Sequence, residues 1–175
     1  MTEKQITCCF TGHRPQNLDF KFNEAHPDCL KIKATLEKCI RRLITEYNVT
    51  HFISGMALGV DMWAAEIVLE LKKEYPNITL ESAIPCETQA AKWNEESRER
   101  YYSIAKQCDK ETMLQTKYTP TCMQDRNKYM VDNSDYVIAV WNGTGSGTGS
   151  TVKYALSMNK FVICIDPKTA GVKKL

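Results

Sequence analysis

Four of the chain's eight glycines, Gly143, Gly145, Gly147 and Gly149, crowd into seven residues of the segment WNGTGSGTGST. Glycine lets a backbone approach a ligand closely and reach positive φ. Free N–H groups at a helix start face an anion, and the helix dipole adds favourable charge. The hydroxyls of Thr144, Ser146, Thr148, Ser150 and Thr151 add donors, so a phosphate is the expected guest, held by Gly145, Ser146, Gly147 and Thr148. No Gly-Lys-Ser/Thr ends the run, so it is not a Walker-type loop. It follows a late strand, which separates it from the usual dinucleotide fingerprint. The plain alternative is a flexible surface turn.

One further segment shares this layout of strand, small residues, glycine and helix, and another follows the first strand. In SGMALGVD, Ser54, Gly55 and Gly59 precede a helix, and Asp61 falls in its first turn. Asp61 there either complements the helix dipole or accepts a hydrogen bond from a ligand hydroxyl. In Thr11-Gly12-His13-Arg14, Arg14 is a fixed-geometry donor for phosphate or carboxylate. His13 is either a base or a hydrogen-bonding structural residue. In MQDRNKYM, Met123 and Met130 have core spacing, while Arg126 and Asn127 lie on another face. Arg126 either clamps an anion or sits in solvent paired with Asp125 or Asp132.

These loops need strands behind them and helices after them. Short apolar runs at residues 6–10, 50–54, 78–84, 111–114, 135–141 and 161–165 read as strands. Helical spacing covers residues 29–47, 59–75, 88–107, 121–133 and 148–159, with a loop over 15–27. Alternating strands and helices imply parallel βαβ units, and continuous apolar strands imply a sheet covered on both faces. The expected fold is an α/β Rossmann-like three-layer α/β/α sandwich with a mainly parallel sheet. In such folds ligands bind at the carboxyl ends of the strands, which selects the loops Thr11–Arg14, Ser54–Asp61, Pro85–Glu87 and Trp141–Thr148.

A chain of 175 residues suggests one domain spanning residues 1–175. With 43% hydrophobic and 25% charged residues it is neither disordered nor fibrous. Twenty-three Lys+Arg against 21 Asp+Glu leave a net charge of +2, which argues against nucleic acid as the main partner. The start, MTEKQITCCF, lacks a signal-peptide pattern, and no apolar run reaches the ~20 residues of a membrane span. The expected location is the cytoplasm, with the eight cysteines reduced. No C-x-x-C pair or zinc-finger offset occurs among them, and we expect no metal and no resident cofactor.

The ordered set TGHRP, SGMALGVDMWAAE, the Trp93-Asn94 segment, RNKYMVDNSDYVIAVW and GTGSTVKYA resembles the YpsA-like family. That family belongs to the SLOG superfamily, with the SMF/DprA and LOG (Lonely Guy) proteins. The resemblance spans about Ile6 to Ile165 and implies a Rossmann-like fold, a pocket for nucleotides or their derivatives, and a homodimer. The LOG motif M-x-x-R-K-x-x-M aligns with Met123, Arg126 and Met130, with Asn127 in place of its Lys. The LOG glycine loop aligns with Gly145 to Thr148, but its catalytic Glu falls on Thr151. Threonine does not ionise at neutral pH and cannot act as that carboxylate.

Three readings follow. The first is a binding or sensor domain for a nucleotide or nucleotide-derived ligand, with no assigned catalytic residue. In it, Gln89 and Trp93 cover a base, although Trp93 serves equally as core packing. The second is a nucleotide N-glycoside hydrolase, with Asp61 or Glu87 substituting for the absent Glu. The third is single-stranded DNA binding, by analogy with SMF/DprA.

Overall fold

The computed structural model describes residues 3–175. Seven strands form one sheet in the order β4-β3-β2-β1-β5-β6-β7. They are β1 (Thr7–Gly12), β2 (His51–Ser54), β3 (Thr79–Ile84), β4 (Lys110–Met113), β5 (Tyr136–Val140), β6 (Phe161–Ile165) and β7 (Val172–Lys174). Every neighbouring pair is parallel except β6 and β7. The helices are α1 (Pro27–Tyr47), α2 (Val60–Glu74), α3 (Glu95–Ala105), α4 (Cys122–Asp132) and α5 (Gly147–Ser157). The expected α/β sandwich is therefore present.

Strand alternation builds two cores from one sheet, because successive side chains point to opposite faces. Cys8, Phe10, Phe52, Leu80, Ile138 and Val140 pack with the apolar stripes of α1 and α2. Cys9, Ile53, Ala83, Val137 and Ala139 pack instead with Met130, Val131, Val152 and Ala155 of α4 and α5. Phe10 and Phe52 stack within the first core, their centroids 6.1 Å apart. Burying a side chain of that size contributes about 1.5–3 kcal/mol relative to exposure. Six of the eight cysteines are buried, and burial pushes the Cys9 thiol up to about 12. They act as small apolar side chains.

Two helix starts and one strand stand out against the sequence reading. Helix α3 starts at Glu95 rather than near Thr88, because the Asn94 side chain accepts from Ser97 N at 2.8 Å and caps the helix there. Residues 88–93 form turns, which puts Trp93 outside any helix. Helix α1 starts two residues early, at Pro27, with His26 Nδ1 accepting from Asp28 N at 3.1 Å. Strand β7 was unforeseen: Asp166 Oδ1 accepts from Lys168 N and Thr169 N, which turns the chain back antiparallel onto β6.

The connections α1, α2 and α3 move the chain outward from β1 to β4. The α4 crossover then carries it back to the other side of β1, where β5 pairs. The strand order thus reverses between β1 and β5, which is where a crevice opens in this class of sheet.

Candidate functional site

A cleft of about 420 Å³ lies at that reversal and continues into the groove between α4 and α5. Its rim comes from the end of β1 (Thr11 to Arg14, with Asn17), from Ala57 and Asp61, and from the start of α5.

Helix α5 begins as the glycine-rich segment predicts. Ser146 caps it, its hydroxyl accepting from Gly149 N at 3.0 Å. Two glycines here serve the fold. Gly143 has φ of +86°, and a Cβ on Gly149 would lie 2.7 Å from Thr144 O and 3.3 Å from the Trp141 indole nitrogen. That indole donates to Thr144 O at 2.8 Å and props the loop from below. Gly145 and Gly147 differ: neither has positive φ, and a Cβ on either would meet nothing within 4 Å.

The other glycines are used by packing. A Cβ on Gly12 would collide with Val60 at 2.5 Å. Gly59 has φ of +92° at the turn into α2. Ser54 Oγ donates to Asp61 O at 2.8 Å and accepts from Met56 N, which shapes the loop rather than facing the cleft. His13 is buried and lines the cleft, with Nε2 3.0 Å from Asn142 Oδ1. Asn142 Oδ1 also accepts from Thr144 N and Thr144 Oγ1. Burial holds the His13 imidazole below its usual pKa despite that amide, so it is neutral at pH 7. It ties the end of β1 to the glycine loop.

Arg126 forms the cleft's inner wall and is only 2% exposed. Nη1 donates to Gly55 O at 2.5 Å and to Gln89 Oε1 at 3.2 Å, and Nε donates to Asn127 Oδ1 at 2.9 Å. Nη2 has only the weak acceptor Met123 Sδ at 3.8 Å. Neither Asp125 nor Asp132 pairs with it, and among the described residues no carboxylate reaches ion-pair distance. A Cβ on Gly55 would lie 2.8 Å from both the guanidinium and Asp61 Oδ2, so glycine is what admits Arg126. Burial lowers the arginine's pKa, although it stays a cation at neutral pH.

Asp61 is 7% exposed and lines the cleft. Its Oδ2 accepts from Ala57 N at 3.3 Å, while Oδ1 has no hydrogen-bond partner among the described residues. Burial pushes its pKa up, opposed in part by Arg126 and Arg14. Arg14 and Lys128 also line the cleft without a carboxylate partner among the described residues. Three cations therefore face one carboxylate.

Of the remaining predicted residues, Thr148 and Thr151 line the cleft and are largely buried, and Thr151 Oγ1 donates to Gly147 O at 3.0 Å. Asn127 reaches the cleft while holding Arg126, and Gln89 stands behind Arg126 without lining the cleft. The expectation that Trp93 covers a base is corrected: it packs edge-on against Tyr101, centroids 5.5 Å apart, away from the cleft. Glu87 is exposed and does not line the cleft. Sequence reasoning missed Asn17, Asn142, Lys128 and Tyr154. Tyr154 alone had a signal, its i+3 spacing from Thr151 on one helix face.

Comparison with known proteins fits this fold. The chain is 36% identical over 140 residues to a UPF0398 protein of Brevibacillus brevis, covering 79% of this chain and 73% of that protein. Its fold is similar to that of DNA processing protein A (DprA) from Streptococcus pneumoniae, with a TM-score of 0.62 and 16% identity. That match covers 93% of this chain but only half of the DprA chain. DNA processing protein A from Helicobacter pylori, described with a single-stranded DNA binding mode, matches with a TM-score of 0.61 and 21% identity over 92% of this chain and 65% of its own. With residues 8–162 matched by the family's own model, the chain belongs to the YspA SLOG family.

Proposed function

We propose that the cleft binds a nucleotide or nucleotide-derived anion, with its phosphate between the N-terminus of α5 and Arg126. One observation carries this reading: a cation 2% exposed lines a cleft with no carboxylate at ion-pair distance among the described residues. Burying a charge without an ion-pair contact costs several kcal/mol, and an anionic ligand offsets that cost. The open space over Gly145 and Gly147 supports it, because bare backbone there lets phosphate oxygens reach the helix amides. The unpartnered Asp61 Oδ1 suits a ligand hydroxyl.

Calorimetric titration with AMP, NAD and ADP-ribose tests the reading. At least one should bind the wild type, and Arg126→Ala should weaken it by roughly 10- to 100-fold, the usual worth of a hydrogen bond to a charged group. If none binds, or if Arg126→Ala binds equally well, the reading fails.

A second reading, N-glycoside hydrolysis, draws on Asp61, a carboxylate lining the cleft with its pKa raised by burial. Thr151 cannot supply that charge, and its hydroxyl is committed to Gly147 O. Release of free base from AMP or NAD, lost in Asp61→Asn, would favour it. The fold likeness to DprA leans against excluding nucleic acid on net charge alone. Oligonucleotide binding that is absent even at low salt would remove that option.

A further inference from the structure

The proposed phosphate position leaves open what the rest of the cleft holds. The α5 face that borders it carries Gly147, Ser150, Thr151 and Tyr154, spaced i, i+3, i+4 and i+7 along one stripe. Apart from the His13 imidazole, which is buried and bonded to Asn142, Tyr154 is the one aromatic residue lining the cleft among the described residues. Its hydroxyl donates to Asp132 Oδ1 at 2.6 Å, which anchors the far end of the ring to α4. Lys128 Nζ stands over the ring, 5.8 Å from its centroid, and both side chains line the groove. Between Gly147 and Tyr154 the helix rises about 10 Å, at 1.5 Å per residue. The stretch between is polar, with Thr151 on one side and Asn127 on the other.

The order along the groove is thus anion site, hydroxyl-rich middle, then an anchored aromatic ring under a lysine. We propose that Tyr154 is the platform on which a nucleobase stacks, so that the ligand is a nucleoside phosphate rather than a bare sugar phosphate. This rests on the anion reading given above. A flat ring gains from stacking on a fixed aromatic face, and the exposed end of the flexible Lys128 side chain swings aside to let a base take its place over Tyr154. The aromatic role expected of Trp93 thus falls to Tyr154 of α5 in this proposal.

Calorimetry with AMP and ribose 5-phosphate on the wild type, Tyr154→Leu and Tyr154→Phe tests this. Tyr154→Leu should weaken AMP about tenfold or more, the usual cost of losing one stacked base, and leave ribose 5-phosphate within about twofold. Tyr154→Phe keeps the ring and should hold AMP within about threefold of wild type. Because Tyr154 is only half-buried, both variants should fold, and unchanged melting temperatures would show it. Equal losses for both ligands in Tyr154→Leu, or no loss for AMP, overturn the proposal. Arg126-dependent binding of both ligands with equal affinity overturns the base platform alone. Binding of neither overturns the anion reading as well.

Discussion

At the scale of single residues, the glycine loop separates into two kinds of position. Gly143 and Gly149 are required by positive φ and by close packing on Thr144 and Trp141. Gly145 and Gly147 are required by nothing inside the folded protein. Replacing a glycine by alanine where the backbone tolerates it stabilises by about 0.4–1 kcal/mol, chiefly by restricting the unfolded chain. Gly145→Ala and Gly147→Ala should therefore each raise Tm by roughly 1–4 °C while weakening AMP binding. Thermal melts and titration of the same samples check both halves. A Tm gain with unchanged affinity would mean that no ligand approaches those backbone atoms. The loop's composition was plain in the sequence, but this division was not, because it depends on which neighbours each Cα meets.

At the scale of elements, Arg126 depends on where α4 is seated. One turn along, Tyr129 donates to Glu81 Oε2 at 2.6 Å, Thr112 Oγ1 donates to the same oxygen at 3.0 Å, and His51 Nε2 meets Glu81 Oε1 at 2.8 Å. Glu81 is 2% exposed, and burial alone would raise its pKa. The hydrogen bonds from His51, Tyr129 and Thr112 more than offset that and bring it to about 2. A carboxylate whose pKa falls on folding stabilises the fold above its unfolded value, here 4.5. That contribution is lost as pH falls from about 4.5 toward about 2. Denaturant unfolding should then find Glu81→Gln less stable than wild type at pH 7 by a few kcal/mol, with the gap closing between pH 4.5 and 2. A constant gap across that range would show that the charge is not what holds α4. Periodicity placed the helices and strands well, because each buries a regular apolar stripe. It placed α3 badly, since Asn94 capping outweighs the weak period of residues 88–94, and it could not show a glutamate inside β3 taking a tyrosine from α4.

At the scale of the whole molecule, the reversal of strand order between β1 and β5 decides which loops meet. Residues 11–14, 54–61 and 145–151 are far apart in the chain, and alternation of strands with helices was enough to send them to the carboxyl ends of the strands, where α4 brings Arg126 and Asn127 beside them. It was not enough to choose among them. Gln89 turned inward to hold Arg126, and Trp93 joined the core beside Tyr101, because residues 88–93 run along the side of the sheet away from the reversal. A net charge of +2 hid three cations gathered at one cleft. Local concentration of charge, not its total, governs what a surface attracts.

The prop beneath the glycine loop has an optical consequence. The chain has three tryptophans; Trp63 is 2% exposed in the core, Trp93 lies against Tyr101, and Trp141 touches the loop itself. Any ligand that shifts Thr144 or orders the start of α5 changes the surroundings of one indole out of three. Titrating AMP into the wild type should move the emission spectrum, and Trp141→Phe should leave the remaining emission blind to the ligand. The protein thus carries an intrinsic fluorophore under the loop that leads into α5, against which unlabelled compound collections can be read directly.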